Sequence, residues 1–210
     1  MANDNFPRLM PLKPPGTQTV PANYYRVSTA ADIFLGMPVA IGAAGYVVGI
    51  GTATAATSVL GVALGFAGVN QRGLATNDPF LDASDLTPPD PSSDTGDRYV
   101  LVSDDPSQEY LAQEDTGGTA LTNAEIGASI DLVYRGVSGT AVNGNTDTGW
   151  ANLEIDASTV VTTTAAFAQL LRVHNAINSD GTENAPGDFG KWVIKFLNPQ
   201  KAGAGLTPIV

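Results

Sequence analysis

The chain has 210 residues, no cysteine, and 21 Asp and Glu against 10 Lys and Arg, for a formal net charge of −11. Such a surface repels nucleic-acid phosphate, whose binding relies on clustered Lys and Arg releasing counterions, so no nucleic-acid partner is expected. The lack of cysteine removes disulfides, thiolate nucleophiles and thiolate metal sites together. With 23 Gly and 14 Pro beside many Thr, Ala and Val, the composition suits strands joined by turns rather than a helical bundle.

Residues 1–25 carry Pro7, Pro11, Pro14, Pro15 and Pro21 among Phe6, Leu9, Met10, Leu12 and Val20. Proline at this density blocks helix and disfavours central strands, so an extended N-terminal arm is expected. Such an arm is either a disordered leader or a strap docked on a neighbouring subunit, because its apolar side chains are costly to leave wet.

From Ile33 to Gln71 the chain has no charged residue. The length would span a bilayer, but Gly36, Gly42, Gly45, Gly49, Gly51, Gly61, Gly65 and Gly68 punctuate the segment. Each glycine inside a helix costs about 0.8–1.0 kcal/mol relative to alanine. No cationic flank and compact apolar core stand at the N-terminus, as a signal peptide requires. Short β-strands fit better. "MPVAI" and "YVVGI" form a hairpin around "GAAG", and "SVLGVALGF" follows as a third strand or a strand pair, within a Gly-rich β unit over 26–75. Glycines inside strands mark bulges or close backbone approach, which suits a small barrel or sandwich.

The composition then shifts to Asp, Pro, Ser and Thr, so 76–97 is expected to be a linker or long surface loop. A second β unit is expected over 98–200. It opens with the strand "YVLV", a turn at "DDP" and the strand "EYLAQ". Thr122 and Glu125 form a T-x-x-E capping box for a helical turn or two. In "ANLEID", Leu153 and Ile155 face one way and Asn152, Glu154 and Asp156 the other. "AFAQLLRVHNAI" and "KWVIKFL" form a last strand pair, with Trp192, Ile194 and Phe196 on one face and Lys191 and Lys195 on the other. A polar loop joins the pair, and 201–210 is expected to be a flexible tail.

Reactive constellations are weak. His174 is the one histidine, and no G-x-S-x-G elbow accompanies it. Asp104, Asp105, Glu109, Glu114 and Asp115 could supply a carboxylate pair, but "SDDP" is more simply a turn, and Glu109 and Glu114 fall on opposite strand faces. Asn143, Asn145, Asp147 and Glu154 echo the spacing of a calcium loop. Gly149 falls a position late, however, and Glu154 lies in an alternating strand, so a Gly/Asn-rich hairpin loop is favoured. No catalytic residue, metal or cofactor is assigned.

At "DIFLGMPVAIGAAGYVVGIGTATAATSVLGVALGFAG" the chain resembles the head decoration (cement) proteins of tailed bacteriophages, in an acidic residue, a GxPV step, short strands and an "LGVALG" run. From "DRYVLVSDDPSQEYLAQED" through "TGWANLEIDAST" to "KWVIKFLNPQ" it is similar to virion structural proteins of podovirus-like and marine phages. The resemblance covers about residues 24–200. It implies a mainly β fold: one or more small β-barrel or β-tulip-like units, few short helices, and the Pro-rich arm. It also implies a non-enzymatic protein on the outer capsid surface. Its partners would be the major capsid protein and further copies of itself, as a dimer or trimer, with no nucleic acid and no membrane. Partner contacts are expected at Phe6, Leu9, Met10, Leu12, Tyr24 and Tyr25, and the core at Trp150, Trp192, Ile194 and Phe196. The rival roles are another virion component, such as a head fibre base or tail protein, and a secreted carbohydrate-binding or adhesin β module.

Overall fold

The computed structural model describes residues 8–13, 19–27, 32–43, 45–51, 57–67, 98–135, 143–160 and 166–201. These residues are mainly β, in antiparallel sheets. Phe6 lies outside them, as do the whole 76–97 segment and the tail beyond Lys201.

The Gly-rich region folds as its pattern implies. β3 (Pro38–Ile41) and β4 (Val47–Gly49) form a hairpin in the register Val39↔Gly49, Ala40↔Val48 and Ile41↔Val47. Its turn closes through Gly42 N donating to Tyr46 O at 2.9 Å, with Gly45 at φ +80°, a conformation glycine adopts without steric cost. β5 (Gly61–Ala67) pairs with β3 on one side and with β6 (Tyr99–Ser103) on the other. β6 pairs in turn with β2 (Asn23–Arg26), completing a five-stranded sheet in the order β2-β6-β5-β3-β4.

A second five-stranded sheet has the order β1-β7-β12-β11-β8, from β1 (Met10–Pro11), β7 (Tyr110–Gln113), β8 (Ser129–Ile130), β11 (Ala168–Val173) and β12 (Lys191–Phe196). β9 (Leu132–Tyr134) and β10 (Leu153–Ile155) form a small two-stranded sheet beside it. Asp105 shapes the corner from β6 to β7: its Oδ1 accepts from Ser107 N at 2.7 Å, and its carbonyl accepts from Gln108 N at 3.0 Å. That corner carries the chain out of one sheet and into the other. Thr122 and Glu125 make the expected capping box, around a 3₁₀ turn at Asn123–Glu125.

Three expectations change. First, the sheets are open: the edge strands β2 and β4 approach at one parallel bridge, Val27↔Val47, which draws the sheet inward without closing a barrel. Second, 76–97 does not divide the chain into two separate sheets, because β6 lies between β5 and β2. Third, the described part of the N-terminal segment belongs to this chain's own sheets, as β1 and β2. Proline is tolerated in β1 because the strand is an edge.

One apolar cluster joins residues from both sides of 76–97: Leu9, Phe34, Met37, Ile50 and Val62 pack with Tyr110, Leu153, Ile155, Trp192, Ile194 and Phe196. Phe196 stacks against Tyr110 and edge-on to Phe167, at 4.7 and 5.2 Å between ring centroids. A smaller cluster of Val27, Ile33, Val39, Val47, Leu60, Ala63, Val100 and Val102 packs on the sheet that β2 and β4 edge. No helix among the described residues is long and apolar enough to cross a membrane; the charge-free stretch supplies β3, β4 and β5 instead.

Candidate functional site: an open edge strand and its anchor

β2 is an edge strand with the sequence Asn23-Tyr24-Tyr25-Arg26, so alternate side chains take opposite faces. Val27 N donates to Arg98 O at 3.0 Å, which fixes the phase of the ladder with β6. In an antiparallel ladder the bonded pairs alternate, so the N–H and C=O of Tyr24 and Arg26 point to the outer edge. Among the described residues no strand pairs with β2 on that side, and the chain meets β4 just beyond it, at the Val27↔Val47 bridge. Tyr24 is 42 % exposed there, and the Arg26 guanidinium lies 5.3 Å from the centroid of the Tyr46 ring.

On the opposite face the strand is anchored. Asp104, 4 % exposed, takes the Asn23 side-chain amide on both oxygens at 3.1 and 3.0 Å, the Tyr25 hydroxyl, and the Lys201 ammonium. Burial pushes the Asp104 carboxyl up, but its donors Lys201, Tyr25 and Asn23 outweigh burial and hold it below the usual carboxylate range. Burial and the Asp104 bond together push the Tyr25 phenol up, so it remains a donor.

The other expected contact residues separate. Leu9 is 1 % exposed in this chain's own core, with its N–H on Gly36 O at 3.4 Å, so a contact with a neighbour is corrected there. Met10, 38 % exposed, sits on the β1 edge, and Leu12 is half-buried with its N–H on Glu109 O. Tyr25 is engaged with Asp104, which leaves Tyr24 as the exposed member of the tyrosine pair. Of the expected core residues, Trp192, Ile194 and Phe196 are buried together. Trp150 is instead half-buried under the Arg8 guanidinium, 3.6 Å above its ring centroid. The single-residue alternation of β10 and β12 was readable from sequence, whereas β2 falls where an extended arm was expected, and the tie from Asp104 to Lys201 spans 97 residues and carried no local signal.

The candidate carboxylates for chemistry have structural partners. Asp105 caps its own turn, and Glu109 pairs with Arg172 at 2.6 Å. Glu114 and Asp115 are buried at the far end of β7. His174 lies half-buried near Arg172 and Lys191, and burial followed by those two cations lowers its imidazole below the ordinary range. Asn145 Oδ1 accepts from Asp147 N and Thr148 N at 2.9 and 3.1 Å, forming a turn that ends at Gly149 with φ +73°. Glu154 turns away from that loop, toward Gln113 at 2.7 Å. Among the described residues no group of three or more His, Asp or Glu is arranged to hold a metal. Concavities of about 350 and 500 Å³ lie at Asn175–Asn184 and around Pro106, Lys195 and Leu197; neither lining includes His174, Glu109 or Glu114.

Fold and site together define a mainly β, antiparallel protein with an anchored, open-edged strand. No known family, curated protein or solved structure matches the chain.

Proposed function

We propose that the chain is a structural virion protein that binds the outer surface of a phage capsid and stabilises it. The partners are the major capsid protein and further copies of the chain itself, and the work is binding rather than catalysis. The observation that carries this role is the β2 edge at Tyr24: its backbone N–H and C=O face outward, its side chain is exposed, and the strand is held from behind by Asp104. Such an edge accepts a strand from a neighbour, where main-chain bonds give affinity and the aromatic side chain gives specificity. The sequence resemblance over Asp32–Gly68 supports the same role. An acidic body suits a surface protein present in many copies, because net charge keeps it soluble and unattracted to packaged DNA.

Tyr24→Pro tests the edge directly. It removes the outward N–H while sparing the ladder to β6, as edge strands tolerate. Binding to capsids stripped of the protein is expected to weaken about tenfold or more, with an unchanged β-sheet circular-dichroism signal. Wild-type affinity in a folded Tyr24→Pro variant would remove the edge from the interface.

A further inference from the structure

Three buried carboxylates meet where β7 runs into the β9–β10 sheet, and their donors are unequal. Glu114 accepts from Leu121 N, Trp192 Nε1 and Gly187 N at 2.6, 3.0 and 3.3 Å. Asp115 pairs with the Arg135 guanidinium and accepts from Ala157 N at 3.2 Å. Glu154, 6 % exposed, has the neutral Gln113 side-chain amide as its one side-chain donor among the described residues, at 2.7 Å. Gln113 is itself fully buried.

The other charged groups around this corner are committed elsewhere. Lys191 stands opposite Gln113 in register, with its ammonium on Asn178 Oδ1 at 3.1 Å. Asp156 caps the next turn through Ser158 N at 3.0 Å. Arg135 is held first by Asp115, whose charge also faces Glu154. A buried carboxylate with one neutral donor is stable protonated and costly ionised.

β10 meets β7 through the bridge Glu114↔Ile155, with Asp115 N donating to Ile155 O at 3.0 Å. Asp115 adds its bonds to Arg135 and Ala157, and Leu132, Tyr134, Leu153 and Ile155 are buried in the main cluster. Gln113–Glu154 is the side-chain link between β7 and β10 that a proton governs, its donor a neutral amide.

We propose that the β9–β10 sheet is a proton-linked joint, seated on β7 while Glu154 carries a proton and loosened when Glu154 ionises. The joint is independent of the capsid role. Burial above all, with the Asp115 charge, pushes this carboxyl up to about 7, against the Gln113 bond and the Arg135 charge. A glutamate in the unfolded chain ionises near about 4.3. The folded state therefore binds the proton more tightly. The stability this group supports is fully present below the unfolded value and is lost as pH rises through about 7.

Amide hydrogen exchange on the intact chain, expressed as protection factors so that the intrinsic rate drops out, reads the joint at about pH 5.5 and about pH 8. Protection over residues 132–134 and 153–155 is expected to fall about tenfold relative to β11 and β12 at the higher pH, with a lower melting temperature. Glu154→Gln, the neutral isostere, is expected to diminish both changes several-fold, the remainder falling to Glu114, whose carboxyl burial also pushes up. A constant protection ratio in the wild type, or an undiminished pH dependence in Glu154→Gln, overturns the joint. Should that variant not fold, the Glu154 carboxyl titration followed by NMR in the wild type decides: a midpoint near about 7 supports the joint, and one near about 4.3 overturns it.

Discussion

At the residue scale, two glycines of one strand have opposite reasons to be there. A Cβ on Gly61 would lie 1.9 Å from the Ser103 carbonyl oxygen, so β5 and β6 can approach only because Gly61 has none. A Cβ on Gly65, beyond the register shift at Ala63/Gly65, would meet nothing within 4 Å. Gly61→Ala is therefore expected to cost about 3 kcal/mol or more, since the obstacle is backbone that cannot rotate away. Gly65→Ala is expected to be neutral or slightly stabilising, through reduced freedom of the unfolded chain. Urea unfolding of the two variants checks the contrast, and equal losses would contradict the close approach. The pattern of glycines inside apolar runs made close approach legible; which glycine bore it depended on β6, which lies across the 76–97 segment and beyond local pattern. Glu154 shows the same limit. Its alternation with Leu153 and Ile155 was readable, but both faces of β10 are covered, so the polar face is buried as well.

At the scale of elements, strands were legible and their partners were not. β3, β4, β5, β6, β7, β11 and β12 fall in the runs that alternation and β-branched residues mark out. Period-2 patterning reports that a strand has a covered face, not which neighbour covers it. Hence β6 and β7, joined by a short turn, go to different sheets, and the two ends of the described chain become sheet components. The segment after β12 illustrates the long-range part. Val59 N donates to Asn198 O at 3.0 Å, and Gln200 N to Val59 O at 2.7 Å, around the bridge Val59↔Pro199. The Gln200 side-chain amide then takes Ile41 N and Ile41 O at 2.7 and 3.2 Å, standing in for the strand that β3 lacks there. Lys201 completes the strap at Asp104, the anchor of β2. Gln200→Ala leaves two half-buried backbone groups unpaired, with an expected loss of about 1–3 kcal/mol in denaturant unfolding. A loss under about 0.5 kcal/mol would show that the strap contributes nothing through this residue.

At the scale of the whole molecule, the described residues combine an acidic surface, antiparallel sheets open at their edges, and an edge strand braced from behind by its own chain. Composition made the acidic character and the mainly β class legible. The open edge was not, because an edge is defined by what fails to pair with it, and the first expectation of a free N-terminal arm assigned its apolar residues to a neighbour. With Leu9 and Tyr25 engaged in this chain, Tyr24 and Met10, on the β2 and β1 edges, are the exposed members of the expected contact set among the described residues. Many copies that each bind the assembled shell in preference to its parts stabilise it by mass action. Co-sedimentation of the purified protein with phage heads stripped of it, with stoichiometry read from quantitative gels, tests that role most directly. Saturable binding at a fixed ratio per capsomer, with a raised capsid melting temperature, is the expected result. No binding to intact heads would contradict it and move the role to a tail component or a free β module.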